Sequence, residues 1–364
     1  MARPLLLLAL SRASLAFATC AGIRLELTHV DAKENCAVPW SAPTAASTGG
    51  VTAPVHWGVT QYIAEYLIGD PPQRAEAIID TGSNLVWTQC SLCRPTSCFS
   101  QNLPYYNPSR SRTDRAVGCH DAACALGIET QLSLGFLNGA SGIIGLGRGA
   151  LSLVSQLGDS RFSYCLTPYL RDTINPSHLF VGASTGLMNA SDVDAPVTFV
   201  PFAKNPKEAP FNTFYYLPLV GMSVGDARLT IPAVAFELRR VVAQPGLWTG
   251  GVLIDSGTPF TLLVDVAYRA LRAELVRQLV ASSLVRPLRG GTPASWCRRC
   301  DYWVPADDAT DCMALFSSEV VLNRTLPLMK ETTIIGNYMQ QDMHLLYDLD
   351  KGVLSFQPAD CSTV

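Results

Sequence analysis

The chain reads AIIDTGS at residues 77–83 and VLIDSGT at residues 252–258. In both stretches an apolar segment ends at an aspartate, which is followed by a hydroxyl residue, a glycine and a second hydroxyl residue. One such stretch could be an ordinary turn, because Asp and Gly both favour turns. Two copies in matching halves instead predict two related lobes whose aspartates, Asp80 and Asp255, meet at a shared site.

The surrounding sequence supports a duplicated, mostly β architecture. An IIG signature follows each aspartate, at residues 143–145 and 334–336. Residues 62–68 and 75–79 are short apolar runs separated by the turn signal GDPP, which predicts a β-hairpin that runs into Asp80.

Two helices are expected among the strands. At residues 265–280 the apolar side chains recur at helical spacing, and Asp265 can cap the first turn. A shorter helix is predicted at residues 151–157. Both are interpreted as helices that cover the core of a lobe.

Composition limits the partners that the chain can have. Its 364 residues are 48% hydrophobic and 16% charged, which suits two domains with large buried cores. The net charge is −3, without a basic patch, so nucleic acid is not a predicted partner. Beyond the N-terminus, the sequence lacks the run of about 18 apolar residues that would predict a membrane span.

The N-terminus is typical of a secretory signal, predicted over residues 1–21. Arg3 supplies a positive charge, residues 5–10 are apolar, and residues 16–18 read AFA, an A-x-A cleavage pattern. An apolar core strand is the alternative interpretation. Residues 22–56 are predicted to be a short leader, and the protein is expected to be secreted, with a vacuole or another secretory compartment as alternatives.

Twelve cysteines agree with an oxidising compartment. Cys90 with Cys93, and Cys297 with Cys300, form two C-x-x-C pairs that could be halves of a zinc site. These pairs lie about 200 residues apart, far from the spacing of a compact zinc module. We therefore favour disulfides over a metal.

The chain also carries two N-glycosylation sequons. NAS begins at Asn189 and NRT begins at Asn323. Both asparagines are candidate glycan sites in the secretory pathway, because the acceptor pattern is N-x-[ST].

Paired carboxylates explain why each residue type stands where it does. Two carboxyl groups in near contact cannot both ionise easily, so Asp80 and Asp255 are predicted to share one proton and to activate a water. The hydroxyl after each glycine is predicted to hold a carboxylate, and the hydroxyl before each glycine to brace the two loops. The supporting residues are Thr81, Gly82, Ser83, Ser256, Gly257 and Thr258.

The two motifs resemble the active-site signatures of pepsin-like aspartic endopeptidases. Three further stretches resemble the plant nepenthesin-like branch: LVWTQC at 85–90, GIIGLGRGALSL at 142–153, and the segment from IIGN at 334–337 through HLLYD at 344–348. The resemblance runs from about residue 59 to residue 361 and is specific.

This resemblance implies a bilobal, mostly β fold with two pseudo-symmetric lobes, at residues 57–200 and 201–364, and a cleft between them. It implies cleavage of protein or peptide substrates at acidic pH, without a metal or organic cofactor, by a protein we expect to be a monomer. It also implies a disulfide between Cys165 and Cys361.

The sequence departs from this family where the flap should be. In the family a hairpin with a tyrosine covers the substrate, yet residues 107–163 contain no Tyr and no Trp. The N-terminal lobe is therefore predicted to be shortened, and residues 300–312 of the second lobe also look short. Evolved loss and a shortened gene model both explain this. The alternative function is a catalytically impaired protein of the same fold that binds or inhibits other proteins.

Overall fold

The computed structural model describes residues 22–29, 61–93, 98–115, 137, 139–168, 177–182, 187, 196–281, 285–286, 302–305, 311–312, 315–322 and 329–364. Over these residues the protein is mostly β, with short strands and three α-helices. The predicted fold class is confirmed.

The strands, in chain order, are β1 (Gly22–His29), β2 (Tyr62–Ile68), β3 (Gln73–Asp80), β4 (Val86–Thr88), β5 (Gly142–Gly145), β6 (Arg161–Cys165), β7 (Ser177–Gly182), β8 (Thr198–Pro201), β9 (Ser223–Val224), β10 (Ala227–Arg228), β11 (Leu238–Arg240), β12 (Trp248–Gly250), β13 (Val252–Ile254), β14 (Thr261–Leu263), β15 (Val285–Arg286), β16 (Tyr302–Pro305), β17 (Asp311–Cys312), β18 (Leu315–Ser317), β19 (Thr333–Ile335), β20 (Met343–Asp348) and β21 (Val353–Pro358). The α-helices are α1 (Leu153–Leu157), α2 (Asp265–Ala281) and α3 (Ser318–Leu322). Three short 3₁₀ segments cover Pro108–Arg110, Ala233–Phe236 and Asn337–Gln340.

A ten-stranded sheet joins the two halves of the chain. Its strand order is β4-β5-β3-β2-β1-β7-β6-β20-β21-β8. Strand β20 pairs antiparallel with β6, and this pairing sets His344 opposite Cys165. The sheet therefore contains strands from both halves of the chain, and its backbone hydrogen bonds hold the two halves together.

The duplicated motifs take the same local topology in both halves. Strand β3 lies parallel to β5, with Asp80 opposite Gly145. Strand β13 lies parallel to β19, with Ile254 opposite Ile335. In each half, the strand that leads to the aspartate is thus paired with the strand of the IIG signature, as the repeat predicted.

Aromatic side chains fill the core beneath these motifs. Phe162 and Tyr347 stack with ring centroids 4.4 Å apart, and Tyr215 packs edge-on against Tyr347. All three are buried, together with Tyr164. Burying several large rings contributes most of the hydrophobic stabilisation in such a core, at about 25 cal/mol per Å² of apolar surface.

Both predicted helices are present. Helix α1 begins after Ser152, whose hydroxyl accepts a hydrogen bond from the Ser155 N–H. Helix α2 begins at Asp265 and buries Leu271 against the core of the second half. The hairpin formed by β2 and β3 is also as predicted, with Ile68 paired to Gln73 beside the turn.

The N-terminal region holds one unexpected strand. Gly22–His29, at the start of the predicted leader, forms β1 and pairs with both β2 and β7. The predicted signal at residues 1–21 and residues 30–56 of the leader lie outside the described residues. Within the described part of the chain, none of the helices is long and apolar enough to cross a bilayer.

Two disulfides lie within the part of the chain that the structure describes. Cys165 is bonded to Cys361, as the resemblance implied, with Cα atoms 5.1 Å apart. Cys93 is bonded to Cys98, so its sulfur is not available as a zinc thiolate ligand. This pairing removes one half of the zinc alternative, and Cys297 and Cys300 lie outside the described residues.

Candidate active site

The two aspartates meet where their loops face each other. Each motif glycine lies against the opposite aspartate: a Cβ on Gly82 would lie 2.7 Å from Asp255 Oδ2, and a Cβ on Gly257 would collide with Asp80 Oδ1. The space between the loops therefore admits only glycine at both positions. This close approach brings the Asp80 and Asp255 carboxylates together.

Hydrogen bonds hold the two carboxylates unequally. Asp80 Oδ1 accepts the Gly82 N–H at 2.9 Å. Asp255 Oδ1 accepts the Gly257 N–H at 2.8 Å, and Asp255 Oδ2 accepts the Thr258 hydroxyl at 2.6 Å. Asp255 is therefore the better stabilised as an anion.

Ser83 does not mirror Thr258 fully. Its hydroxyl oxygen is buried and makes no hydrogen bond of normal geometry to the described residues. It still lies close enough to Asp80 to lower the pKa of that carboxyl. The Thr258 hydroxyl therefore donates a hydrogen bond to its aspartate, whereas the Ser83 hydroxyl only lies near Asp80.

The pKa of Asp80 is raised well above its usual value. Burial is the largest cause, and the negative charge of Asp255 is the next. The Gly82 N–H and the Ser83 hydroxyl oppose this rise. A carboxyl with this pKa beside an anion-stabilised partner is expected to retain the single proton of the pair.

Thr81 and Ser256 link the two loops through their hydroxyl groups. The Thr81 hydroxyl donates to the Ile254 carbonyl at 3.2 Å, and the Ser256 hydroxyl donates to the Ile79 carbonyl at 3.0 Å. Each hydroxyl therefore reaches the strand that ends at the opposite aspartate. Both residues are fully buried, so these bonds are shielded from water.

Sequence reasoning missed the polar residues that hold the loops from behind. The Asn337 side chain donates to the Ser256 carbonyl at 3.0 Å, and the Gln340 side chain donates to the Asp255 carbonyl at 3.1 Å. Both belong to the segment that follows the second IIG signature. Their burial, which creates the need for hydrogen-bond partners, is visible only in the folded structure.

Asn84 plays a comparable part in the first half. Its Oδ1 accepts the Gly149 N–H at 2.8 Å, and its Nδ2 donates to Thr213 Oγ1 at 2.7 Å. This side chain therefore links the first aspartate loop to the GLGRG segment and to Thr213, 129 residues along the chain. The candidate glycan sites, Asn189 and Asn323, lie outside the described residues.

Two family models match the chain, each in two overlapping stretches. The model described as Xylanase inhibitor N-terminal matches residues 62–133 and 125–183. The model described as Xylanase inhibitor C-terminal matches residues 214–301 and 287–358. The overlaps, at 125–133 and 287–301, fall at or beside the two regions that the sequence predicted to be short.

Curated relatives are plant aspartic proteinases. Aspartic proteinase nepenthesin-1 of Nepenthes gracilis is 31% identical over 423 aligned positions, covering 93% of this chain and 90% of the relative. Nepenthesin-2 of the same plant is 30% identical and covers 86% and 81%, and Aspartyl protease family protein 2 of Arabidopsis thaliana is 28% identical and covers 87% and 75%. Because the first alignment is longer than this chain, nepenthesin-1 carries internal segments that the chain lacks.

Solved structures share the fold at low sequence identity. Basic 7S globulin from soybean superposes with a TM-score of 0.56 at 12% identity, covering 94% of this chain and 97% of the globulin. The structure of edgp gives a TM-score of 0.57 at 13% identity, covering 96% and 97%. These structures show the fold alone. The identity to nepenthesin-1 and nepenthesin-2 over most of each chain, together with the two family models, shows that the chain belongs to the nepenthesin-like branch of the pepsin-like aspartic proteases.

Proposed function

We propose that the protein is an aspartic endopeptidase that hydrolyses peptide bonds in protein or peptide substrates at acidic pH. Asp80 and Asp255 are its catalytic carboxylates. The main support for this proposal is the near contact of these two carboxyl groups. Their loops approach so closely that only glycine fits at residues 82 and 257. The family to which the chain belongs gives the reaction class.

The unequal environments divide the roles of the dyad. Asp255, with two donors to its carboxylate, acts as the base that takes a proton from an attacking water. Asp80, whose pKa is raised, carries the shared proton and donates a hydrogen bond to the substrate carbonyl oxygen. The water oxygen bonds to the carbonyl carbon. As the C–N bond breaks, the leaving nitrogen takes the proton that Asp255 removed from the water, so the pair again holds a single proton.

The same proton count explains the acidic optimum. The reaction needs one proton on the pair, so the rate falls when pH rises through the upper apparent pKa and both groups ionise. It also falls when the pH is low enough for the pair to hold two protons. The raised pKa of Asp80 extends the active range upward from that of an isolated carboxyl.

The proposed setting is an oxidising, secretory-derived compartment. The two disulfides, Cys93 with Cys98 and Cys165 with Cys361, fit that environment. We include in the proposal a secreted monomer with glycans at Asn189 and Asn323.

The decisive test is peptide cleavage by purified full-length protein at acidic pH. We expect activity that pepstatin inhibits and that falls at least about a thousandfold in Asp80→Asn and in Asp255→Asn. The surface variant Asp226→Asn is the matched control, since it removes an exposed carboxylate away from the dyad motifs. Full activity in either dyad variant would refute the assignment.

A second candidate is a binding or inhibitor protein on the same fold. Two observations favour it: the matching family models are described as xylanase inhibitor domains, and the flap interval is short. Under this alternative the folded protein cleaves no peptide and lowers the activity of a xylanase. The retention of both aspartates with their hydroxyl neighbours favours the enzyme.

A further inference from the structure

We propose that Gln340, Tyr164 and Tyr347 form a positioning network that holds the Asp255 loop in its reactive place. This inference rests on the proposed function. The three side chains lie beneath the dyad and are almost fully buried. They come from the 3₁₀ segment after β19, from β6 and from β20.

The Gln340 amide is satisfied at every position. Its Nε2 donates to the carbonyls of Asp255, at 3.1 Å, and Ile335, at 2.9 Å. Its Oε1 accepts the Tyr164 hydroxyl at 2.6 Å. Because both carbonyls can only accept, this orientation of the amide is the one that pairs all three groups.

Counting protons gives the network a direction. The single Tyr164 proton goes to Gln340, so in the 2.8 Å contact between the hydroxyls Tyr347 must be the donor. Hydrogen bonds therefore run from Tyr347 to Tyr164, then to Gln340, and end at the Asp255 carbonyl. Bonds in such a chain polarise one another, which strengthens the last of them.

The network also touches the first aspartate loop. Burial raises the pKa of Tyr347 well above its usual value, and the adjacent Thr81 hydroxyl opposes that rise. Burial likewise raises the pKa of Tyr164. Both phenols consequently stay protonated at any working pH, and the donors of the network are permanent.

The two lobes differ in how they hold the aspartate carbonyl. In the first half the backbone N–H of Leu146 donates to the Asp80 carbonyl at 2.8 Å. The corresponding residue in the second half is Asn337, whose N–H donates to the Thr258 carbonyl instead. In the second half the donor to the aspartate carbonyl is therefore the Gln340 side chain, whereas in the first half it is a backbone N–H.

This difference means that a side chain holds the Asp255 carbonyl, whereas a backbone N–H holds the Asp80 carbonyl. Its loop is anchored through Gln340 to β6 and β20, the two paired strands that join the halves of the shared sheet. Removing one member of the network should let the loop shift. The Asp255 carboxylate would then separate from Asp80, and a displacement of about 1 Å can cost around a hundredfold in rate.

The test compares Gln340→Leu and Tyr164→Phe with Tyr62→Phe. Tyr62 is the matched control because it is equally buried, lies in the same sheet, and uses its hydroxyl with Thr167 and Gln341. We expect kcat to fall about tenfold or more in the two network variants, with a smaller change in KM. Tyr62→Phe should stay close to wild type in both.

A second measurement does not require activity. NMR titration of ¹³C-labelled aspartate carboxyls, assigned with Asp80→Asn and Asp255→Asn, reports the two apparent pKa values of the dyad. We expect the gap between them to narrow by about half a unit or more in the network variants, because separated carboxyls couple less. If Gln340→Leu does not fold, Tyr164→Phe carries the comparison.

The outcomes distinguish this inference from the proposed function. A wild-type protein that cleaves no peptide contradicts the proposed function, while the titration still tests the network. Network variants that titrate like Tyr62→Phe, in a protein that is active or not, overturn the inference.

Discussion

Thr81 and Ser256 each accept a hydrogen bond from the other's backbone N–H. Ser256 N–H donates to Thr81 Oγ1 at 3.0 Å, and Thr81 N–H donates to Ser256 Oγ at 3.1 Å. The exchange is reciprocal and buried, so it fixes the separation of the two loops. Because neither half supplies both partners, the facing arrangement of the Asp80 and Asp255 loops depends on both halves of the chain.

We therefore expect Thr81→Val to weaken both stability and activity. The substitution keeps the shape but leaves the buried Ser256 N–H without an acceptor, which costs about 1–3 kcal/mol in the free energy of unfolding. Urea unfolding measures this cost. Thr332→Val is the control, since it removes a buried hydroxyl that bonds only to the Gly250 carbonyl. If Thr332→Val lowers peptidase activity as much as Thr81→Val does, the loss of activity in Thr81→Val is not specific to the contact between the two aspartate loops.

Gly82→Ala should disable catalysis with little loss of fold. The new methyl would lie 2.7 Å from Asp255 Oδ2, so the carboxylates must move apart. A displacement of that kind is expected to lower kcat about a hundredfold. Gly158→Ala is the control, because a Cβ at this position would contact no other atom. Its only cost is the strain of placing alanine in the left-handed backbone conformation. That variant should lose stability and keep its activity, and the opposite pattern would contradict the prediction.

The raised pKa of Asp80 makes a prediction about stability against pH. The folded protein holds this proton more tightly than the unfolded chain, whose Asp titrates near pH 3.9. The contribution of Asp80 is therefore fully present below that pH and is lost as pH rises through the raised pKa. The Asp80→Asn variant has no such proton to lose. The difference between its free energy of unfolding and that of the wild type should therefore increase, in favour of the variant, as pH rises. Parallel curves for the two proteins would show that the Asp80 pKa is not raised.

The short flap interval predicts slow turnover. A flap aligns the extended substrate by backbone pairing and excludes water from the dyad. We expect a version with a family flap inserted between Cys124 and Gly139 to cleave peptides at least about tenfold faster than the chain as written. Only soluble, folded material should be compared, because an exposed strand edge promotes aggregation. Equal rates would mean that another segment covers the cleft.

The facing aspartate loops could be predicted from sequence because each loop is encoded by a local pattern. Asp80 and Asp255 each sit in a stretch of seven residues that contains the strand, the turn and the hydroxyl partners. The disulfide between Cys165 and Cys361 and the bilobal fold followed from the resemblance to a family. Short sequence patterns indicate these features, and such patterns can be recognised without knowing the rest of the fold.

The positioning residues could not be predicted in this way. Tyr164 and Gln340 are 176 residues apart, and their contact depends on the register between β6 and β20. The strand Gly22–His29 was missed for a similar reason: its place depends on β2 and β7, which lie far along the chain. Non-local pairing is what a single sequence encodes least directly.

The disulfide between Cys165 and Cys361 affects how autolytic fragments of this protein would be detected by electrophoresis. It closes a loop that contains the whole second half of the molecule, including Asp255. A single cut anywhere within that loop leaves both fragments covalently attached, so electrophoresis without a reducing agent would show one intact band. A single autolytic cut within this loop would therefore become visible only after reduction, and a population nicked there would pass as homogeneous through purification.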